Sequence, residues 1–317
     1  MTSQPTLFPV TPNTPRPLIK PAKITSSLKE KAILVDFDGG CWEWTRRDRR
    51  VETDVTTRNN VSKAAVKAHK NLFLSCDTNL EAIRTVIQKA RASHVGMTLP
   101  WAPSRNLLLN KNALTYQQTM LRFQIDLDNA KATLSNEWQT MLSRAASALG
   151  PLHDPRDYPA LGDVLSSAYI THKFYPLADD TDVRLVADSD LVADIKAQVK
   201  AEQATTYSKA VLSSWERLLD VISSAVTNLS KTGQKGERFR SEWHDNLASL
   251  LPLLSGLNLD DDPRLDDMAK RAQSLLRPDP EEYGASLEAR AKAFTQAQAI
   301  YSDLSAIYGT LPGSEKR

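Results

Sequence analysis

The stretch Trp42-Glu43-Trp44-Thr45-Arg46-Arg47-Asp48-Arg49-Arg50, followed by Arg58, Lys63, Lys67 and Lys70, interleaves flat aromatic surface with cations. Single-stranded nucleic acid is held by that combination, because bases of any sequence stack on aromatic rings while guanidinium groups meet phosphates. Trp42 and Trp44 are two apart and share a face if they lie on one strand. Lys63, Lys67 and Lys70 fall at helical spacing and form one cationic stripe. The same residues admit a second reading, in which the tryptophans pack against helices and the arginines pair with Glu43, Asp48, Glu52 and Asp54.

Other candidate chemistry is thinner. Ile33-Leu34-Val35-Asp36-Phe37-Asp38-Gly39 resembles the haloacid-dehalogenase nucleophile motif, but that chemistry needs alternating strands and helices, and long helical patterns follow instead. His69, His94, His153, His172 and His244 are scattered, with no His-x-x-x-His or Glu-x-x-His pairing, so no metal site is expected. Cys41 and Cys76 are the only cysteines, which excludes a disulfide scaffold and a four-thiolate site. Asp260-Asp261-Asp262 precedes Pro263, where carboxylates cap a helix start. The segment 231–240 is a basic connection whose Gly-x-x-Gly is similar to the clamp of a KH domain, without the surrounding sheet. No Walker loop and no Gly-x-Gly-x-x-Gly occurs, so neither nucleotide hydrolysis nor a nucleotide cofactor is expected.

Charge is distributed unevenly over the 317 residues. Residues 1 to 111 hold 18 Lys and Arg against 9 Asp and Glu, whereas residues 112 to 317 hold 22 against 29. A basic front on an acidic body favours one polyanion-facing end, since the electrostatic part of nucleic-acid binding scales with the phosphates neutralised. No apolar run approaches the ~18 residues of a membrane span, and the N-terminus lacks the basic-then-apolar order of a secretory signal.

These residues must be positioned by a mostly α fold. Six prolines in residues 1–25 predict an extended basic arm. Apolar and β-branched residues on either side of Gly39-Gly40 predict a β-hairpin over 32–45, with a third strand at 51–57. Residues 26–60 form this hairpin and basic segment. Apolar residues at steps of three and four predict helices over 61–96 and 114–149, interrupted at Pro100-Trp101-Ala102-Pro103 and closed by Gly150-Pro151. Together they read as a long antiparallel helical hairpin, which with a hinge makes up residues 61–186. A short helix at 161–168 and a strand at 171–175 lie in that hinge. The C-terminal helical region, 187–317, carries helices over 189–229, 237–254, 263–276 and 280–308. Long apolar-faced helices pair with one another or with a second subunit, so a homo-oligomer is expected.

The order of hairpin tryptophans, basic stretch, Thr98-Leu99-Pro100-Trp101, Tyr116, Phe123 and Asp157-Tyr158-Pro159 resembles a phage-borne helical family of unknown function. Members of that family often sit beside MoxR-type AAA ATPases and von Willebrand A-domain proteins. The layout is also similar to the single-stranded-DNA-binding RNA polymerase cofactor of N4-related phages. The resemblance covers residues 25 to 185 and carries no catalytic residue. It implies a phage protein in the host cytoplasm, acting on exposed DNA in transcription or replication, or as an adaptor in an ATPase assembly.

The combined expectation is a non-enzymatic single-stranded-DNA-binding protein without cofactor or metal that recruits a polymerase through its acidic helices. Trp42 and Trp44 would stack, and Arg46, Arg47, Arg49, Arg50, Arg58, Lys63, Lys67 and Lys70 would contact phosphates. The alternative is a helical adaptor for an AAA ATPase.

Overall fold

The computed structural model describes residues 28–62, 64–74, 77–177, 189–230, 241–277, 279, 282–311 and 314. The chain is mostly α, with a small antiparallel sheet at its centre. That sheet has the order β4-β5-β1-β6, built from β1 (Ala32–Gly40), β4 (Leu99–Ala102), β5 (Arg105–Leu109) and β6 (Tyr169–Tyr175). A separate two-stranded ribbon joins β2 (Thr45–Arg47) to β3 (His69–Asn71).

The sheet departs from the expected hairpin over 32–45. Gly39-Gly40 is no turn: β1 runs straight through both glycines and pairs them with Ile170 and Tyr169. Glycine is needed there for close approach. A Cβ at Gly39 would meet Ile87 Cγ2 at 3.1 Å and the Tyr169 carbonyl at 3.2 Å, and one at Gly40 would meet the Tyr169 ring at 3.3 Å. The local hairpin of the sheet is β4–β5 instead, at the Pro-Trp-Ala-Pro segment, with a register shift between Pro100 and Ala102.

The expected strand at 51–57 is a helix, α1 (Arg49–Arg58). Its β-branched Val51, Thr53, Val55, Thr56 and Thr57 favour strand by propensity, but Asp48 caps the first turn, accepting from the Arg50 and Val51 amides at 3.0 and 3.2 Å. Glu52 then fastens the helix inward by accepting the Ala68 amide. The helix expected over 61–96 starts later, as α2 (Asn79–Met97), because β3 uses part of the intervening chain for ribbon pairing.

The 40-residue α3 (Asn110–Leu149) extends about 60 Å. It ends at Gly150, whose φ of 50° suits glycine and whose amide donates to Ala146. Asn79 at the start of α2 meets Met141, and His94 near its end meets Tyr116, so these two helices run antiparallel. The short α4 (Leu161–Ser167) leads into β6. Beyond it stand α5 (Ser189–Leu229), α6 (Glu242–Leu257), α7 (Pro263–Gln273), α8 (Glu282–Ala285) and α9 (Leu287–Tyr308).

Helices cover both faces of the sheet. Val35 and Leu108 pack with Met97, Tyr116 and Met120 on one side, while Leu34, Leu99 and Leu107 pack with Ala210 and Leu257 on the other. A third cluster around Trp215, Ile222, Trp243, Leu247, Ala297 and Ile300 holds the C-terminal helices together. Polar ties also join this part to the rest. Arg217 of α5 donates to the Gly96 and Thr98 carbonyls at 2.9 and 2.7 Å, placing a cation at the negative end of α2. Asp261 binds both Lys31 and Lys111 at 2.8 Å, which holds its carboxyl down to about 2. Its neighbour Asp262 caps α7. Among the described residues no helix is long and apolar enough to cross a membrane.

Candidate nucleic-acid interface

The two tryptophans expected to stack on bases are turned into the protein. Trp42 sits edge-on to Phe73 and Trp138, with ring centroids at 6.3 and 6.4 Å. Trp44 is half-buried against the same cluster, and the Arg84 guanidinium lies 3.8 Å from its ring centroid. Both rings are thus engaged by the cluster that joins the ribbon to α3, with Arg84 held in turn by Glu43 and Glu81. In this structure both rings pack against that cluster.

The cations divide into two groups. Arg47 makes a two-pronged contact with Glu52 at 2.6 and 2.8 Å. That pairing raises the hold on the Arg47 proton and lowers Glu52 below the usual carboxylate range. Lys70 is also consumed: with 12% of its side chain exposed, it contacts Asp157 at 2.8 Å and Asp48 at 3.6 Å and donates to the Leu152 carbonyl. Arg47 and Lys70 therefore build the ribbon.

Arg46, Arg49, Arg50, Arg58 and Lys67 are exposed, as is Arg47 despite its pairing. Arg50 lies 3.8 Å from Asp154, whose carboxylate is already gripped by Arg156 and held far below its ordinary range by that partner. Arg58 pairs one turn back with Asp54, an exposed contact that solvent and salt weaken. Lys63 lies outside the described residues, as do the arm 1–25, Cys76 and the basic connection 231–240.

The helical form of α1 determines the arrangement. Steps of three, four and seven place Arg50, Thr53, Asp54 and Thr57 along one side, and together with Arg49 they line an open groove of about 650 Å³. The groove offers two guanidinium groups and two hydroxyl-bearing side chains to an anion, with the Asp54 carboxylate among its lining. Thr53 and Thr57 were hidden by the expectation of a strand, which would have turned 51, 53, 55 and 57 to one face. The signal that could have revealed them is Asp48 as a cap, the acidic Glu52 in the first turn and the Asp54–Arg58 pair one turn apart.

A second constellation was not legible as a unit. His94, Tyr116 and His172, which stand on α2, α3 and β6, converge under the sheet. His94 Nδ1 and the Tyr116 hydroxyl are 2.9 Å apart, and His172 Nε2 is 3.0 Å from Gln117 Oε1. Burial lowers His94 to about 4 and also lowers His172, while it pushes the Tyr116 hydroxyl up. Among the described residues no group of His, Cys, Asp and Glu is placed to hold a metal ion.

Comparison with protein-family models, with curated proteins and with solved structures finds no match.

Proposed function

We propose that this chain is a non-enzymatic single-stranded-DNA-binding protein whose exposed α1 face grips the sugar-phosphate backbone. The observation that carries this reading is the groove lined by Arg49, Arg50, Thr53, Asp54 and Thr57. Guanidinium groups, whose N–H groups phosphate oxygens accept from, project into solvent there beside the Thr57 hydroxyl, while the Thr53 hydroxyl donates to the Arg49 carbonyl. Arg46, Arg58 and Lys67 extend the positive surface. The strip is interrupted by Asp54, which lines the groove, and Asp154 lies 3.8 Å from Arg50. One phosphate strand fits such a strip, whereas a second strand would meet these carboxylates. With both tryptophans engaged inside, contacts go to phosphate and sugar, so binding is indifferent to base sequence and strongly salt-dependent. The acidic C-terminal helices are left to recruit a polymerase, whose DNA-binding surface is basic.

The test is fluorescence anisotropy with single-stranded and duplex oligonucleotides at two salt concentrations. Replacing Arg49 and Arg50 together by Ala is expected to weaken binding equally for all sequences. The slope of log K against log salt should fall by roughly 0.7 for each phosphate that is no longer neutralised. Unchanged binding in that variant overturns the site, and equal affinity for duplex overturns the strand preference.

A second reading, the helical adaptor for an AAA ATPase, draws on the exposed apolar stripe Leu114, Leu121 and Ile125 of α3. Retention on a purified MoxR-type ATPase without retention on oligonucleotide would favour it.

A further inference from the structure

Among the described residues the outer edge of β6 is unpaired. The strand closes one end of the sheet, and no backbone hydrogen bond among the described residues uses its second edge. Its register against β1 is continuous over seven residues, with neither a bulge nor a proline to blunt it. Edges of this kind are templates for another strand, and folded proteins normally guard them with charge, bulges or a cover. The only formal charge on this strand is Lys173.

The sequence of the strand, Tyr169-Ile170-Thr171-His172-Lys173-Phe174-Tyr175, reads similarly in both directions. Laid antiparallel on a second copy about His172, it sets Tyr169 opposite the copy's Tyr175, Ile170 opposite Phe174 and Thr171 opposite Lys173. Aromatic meets aromatic and apolar meets apolar, the pairs that stabilise neighbouring strands, and no two lysines face each other. Such self-complementarity is what a two-fold interface requires, since each patch must fit itself.

The helix above the strand supplies the rest of the surface. On α3, Tyr116 and Met120 point into the core and Gln117 touches His172 of β6. A further rotation in the same sense, at 3.6 residues per turn, brings up Leu114, Leu121 and Ile125, past Gln117 and away from the core. These three are 70%, 53% and 53% exposed, and Phe174 and Tyr169 on the strand are 42% and 39% exposed. At ~200 Å² for a large side chain, the five leave roughly 500 Å² per copy, or roughly 1,000 Å² for a pair. That reaches the lower bound of a specific interface before any polar rim is added.

We infer that two copies of this chain associate through β6, edge to edge and antiparallel about His172, extending the sheet across both. The two-fold axis stands perpendicular to the sheet, so both α3 helices lie on the same face, and Leu114, Leu121 and Ile125 meet the copy's stripe above the new strand pair. This assembly does not depend on the DNA reading, because α1 takes no part in it.

Sedimentation velocity of the full chain over a wide concentration series tests the inference, with circular dichroism confirming the fold of each variant. The wild-type chain is expected to show a monomer–dimer equilibrium. Leu121→Glu with Ile125→Glu, both at exposed positions, is expected to abolish the dimer. Thr171→Lys sets lysine against Lys173 twice in the pair and should weaken association about tenfold, whereas Thr171→Glu should strengthen it by a similar factor. A chain that stays monomeric throughout overturns the inference. So does a dimer that responds to the helix substitutions but not to those at Thr171, because a contact through α3 alone has no register for residue 171 to alter.

Discussion

His94 makes the stability of this protein depend on pH in a calculable way. The ring is 7% exposed, stacks on Phe37 with centroids 5.2 Å apart and receives or gives a hydrogen bond at the Tyr116 hydroxyl. Burial is the main cause that lowers its pKa to about 4; Arg91 and His172 push the same way and Asp36 opposes them. The neutral ring is therefore favoured in the folded state and the unfolded chain binds the proton more readily. Stability from this group is fully present above an unfolded pKa near 6.5 and is lost as pH falls from there through about 4. At pH 5 the loss is about 2 kcal/mol, and it approaches about 3 kcal/mol at lower pH. His172, also lowered by burial, adds loss in the same direction. Urea unfolding at pH 7 and pH 5 measures the effect directly. His94→Gln keeps an acceptor for Tyr116 but does not titrate, so its stability difference between the two pH values should be about 2 kcal/mol smaller than that of the wild type. An equal difference in both proteins would refute the argument that burial of this ring governs the acid limb.

Substitutions at two further positions probe the elements that position the candidate site and tie the C-terminal helices to the rest. Arg217→Ala leaves the Gly96 and Thr98 carbonyls without their donor at the end of α2 and should cost about 2–4 kcal/mol in denaturant unfolding. A change below about 0.5 kcal/mol would show that this tie is dispensable. Asp48→Ala removes the cap of α1 and one carboxylate facing Lys70, costing about 1 kcal/mol or more, and increased hydrogen exchange in the first turn of α1 reports the loss. Asp48→Asn retains the cap without the charge, so near-wild-type protection is expected from it.

How far the sequence was legible depends on the range of the interaction concerned. The helices over 114–149 and 189–229 could be read because each turn repeats its apolar residues, and the observed α3 and α5 follow that periodicity. The Gly150 ending of α3 and the Asp262 cap of α7 are equally local. The sheet was not readable in this way. Gly39 and Gly40 carry the composition of a turn, yet their partners are Ile170 and Tyr169, about 130 residues further on. Val51 to Thr57 carries the composition of a strand, and a cap at Asp48 together with the anchor of Glu52 prevails over it.

The candidate site divides along the same line. That cations are concentrated in the first third of the chain follows from the residues as written, because charge needs no partner to be counted. The mostly helical character follows in the same way, because helical periodicity is satisfied within one segment. Which cations are tied into the ribbon is settled by folding. Glu52 and Asp157 neutralise Arg47 and Lys70, whereas Arg49 and Arg50 are left on the open side of α1. The fate of Trp42 was likewise set at a distance, by Phe73 and Trp138 closing on its ring. Desolvation and ion pairing are properties of a neighbourhood, and the fold assembles that neighbourhood from segments far apart in the chain.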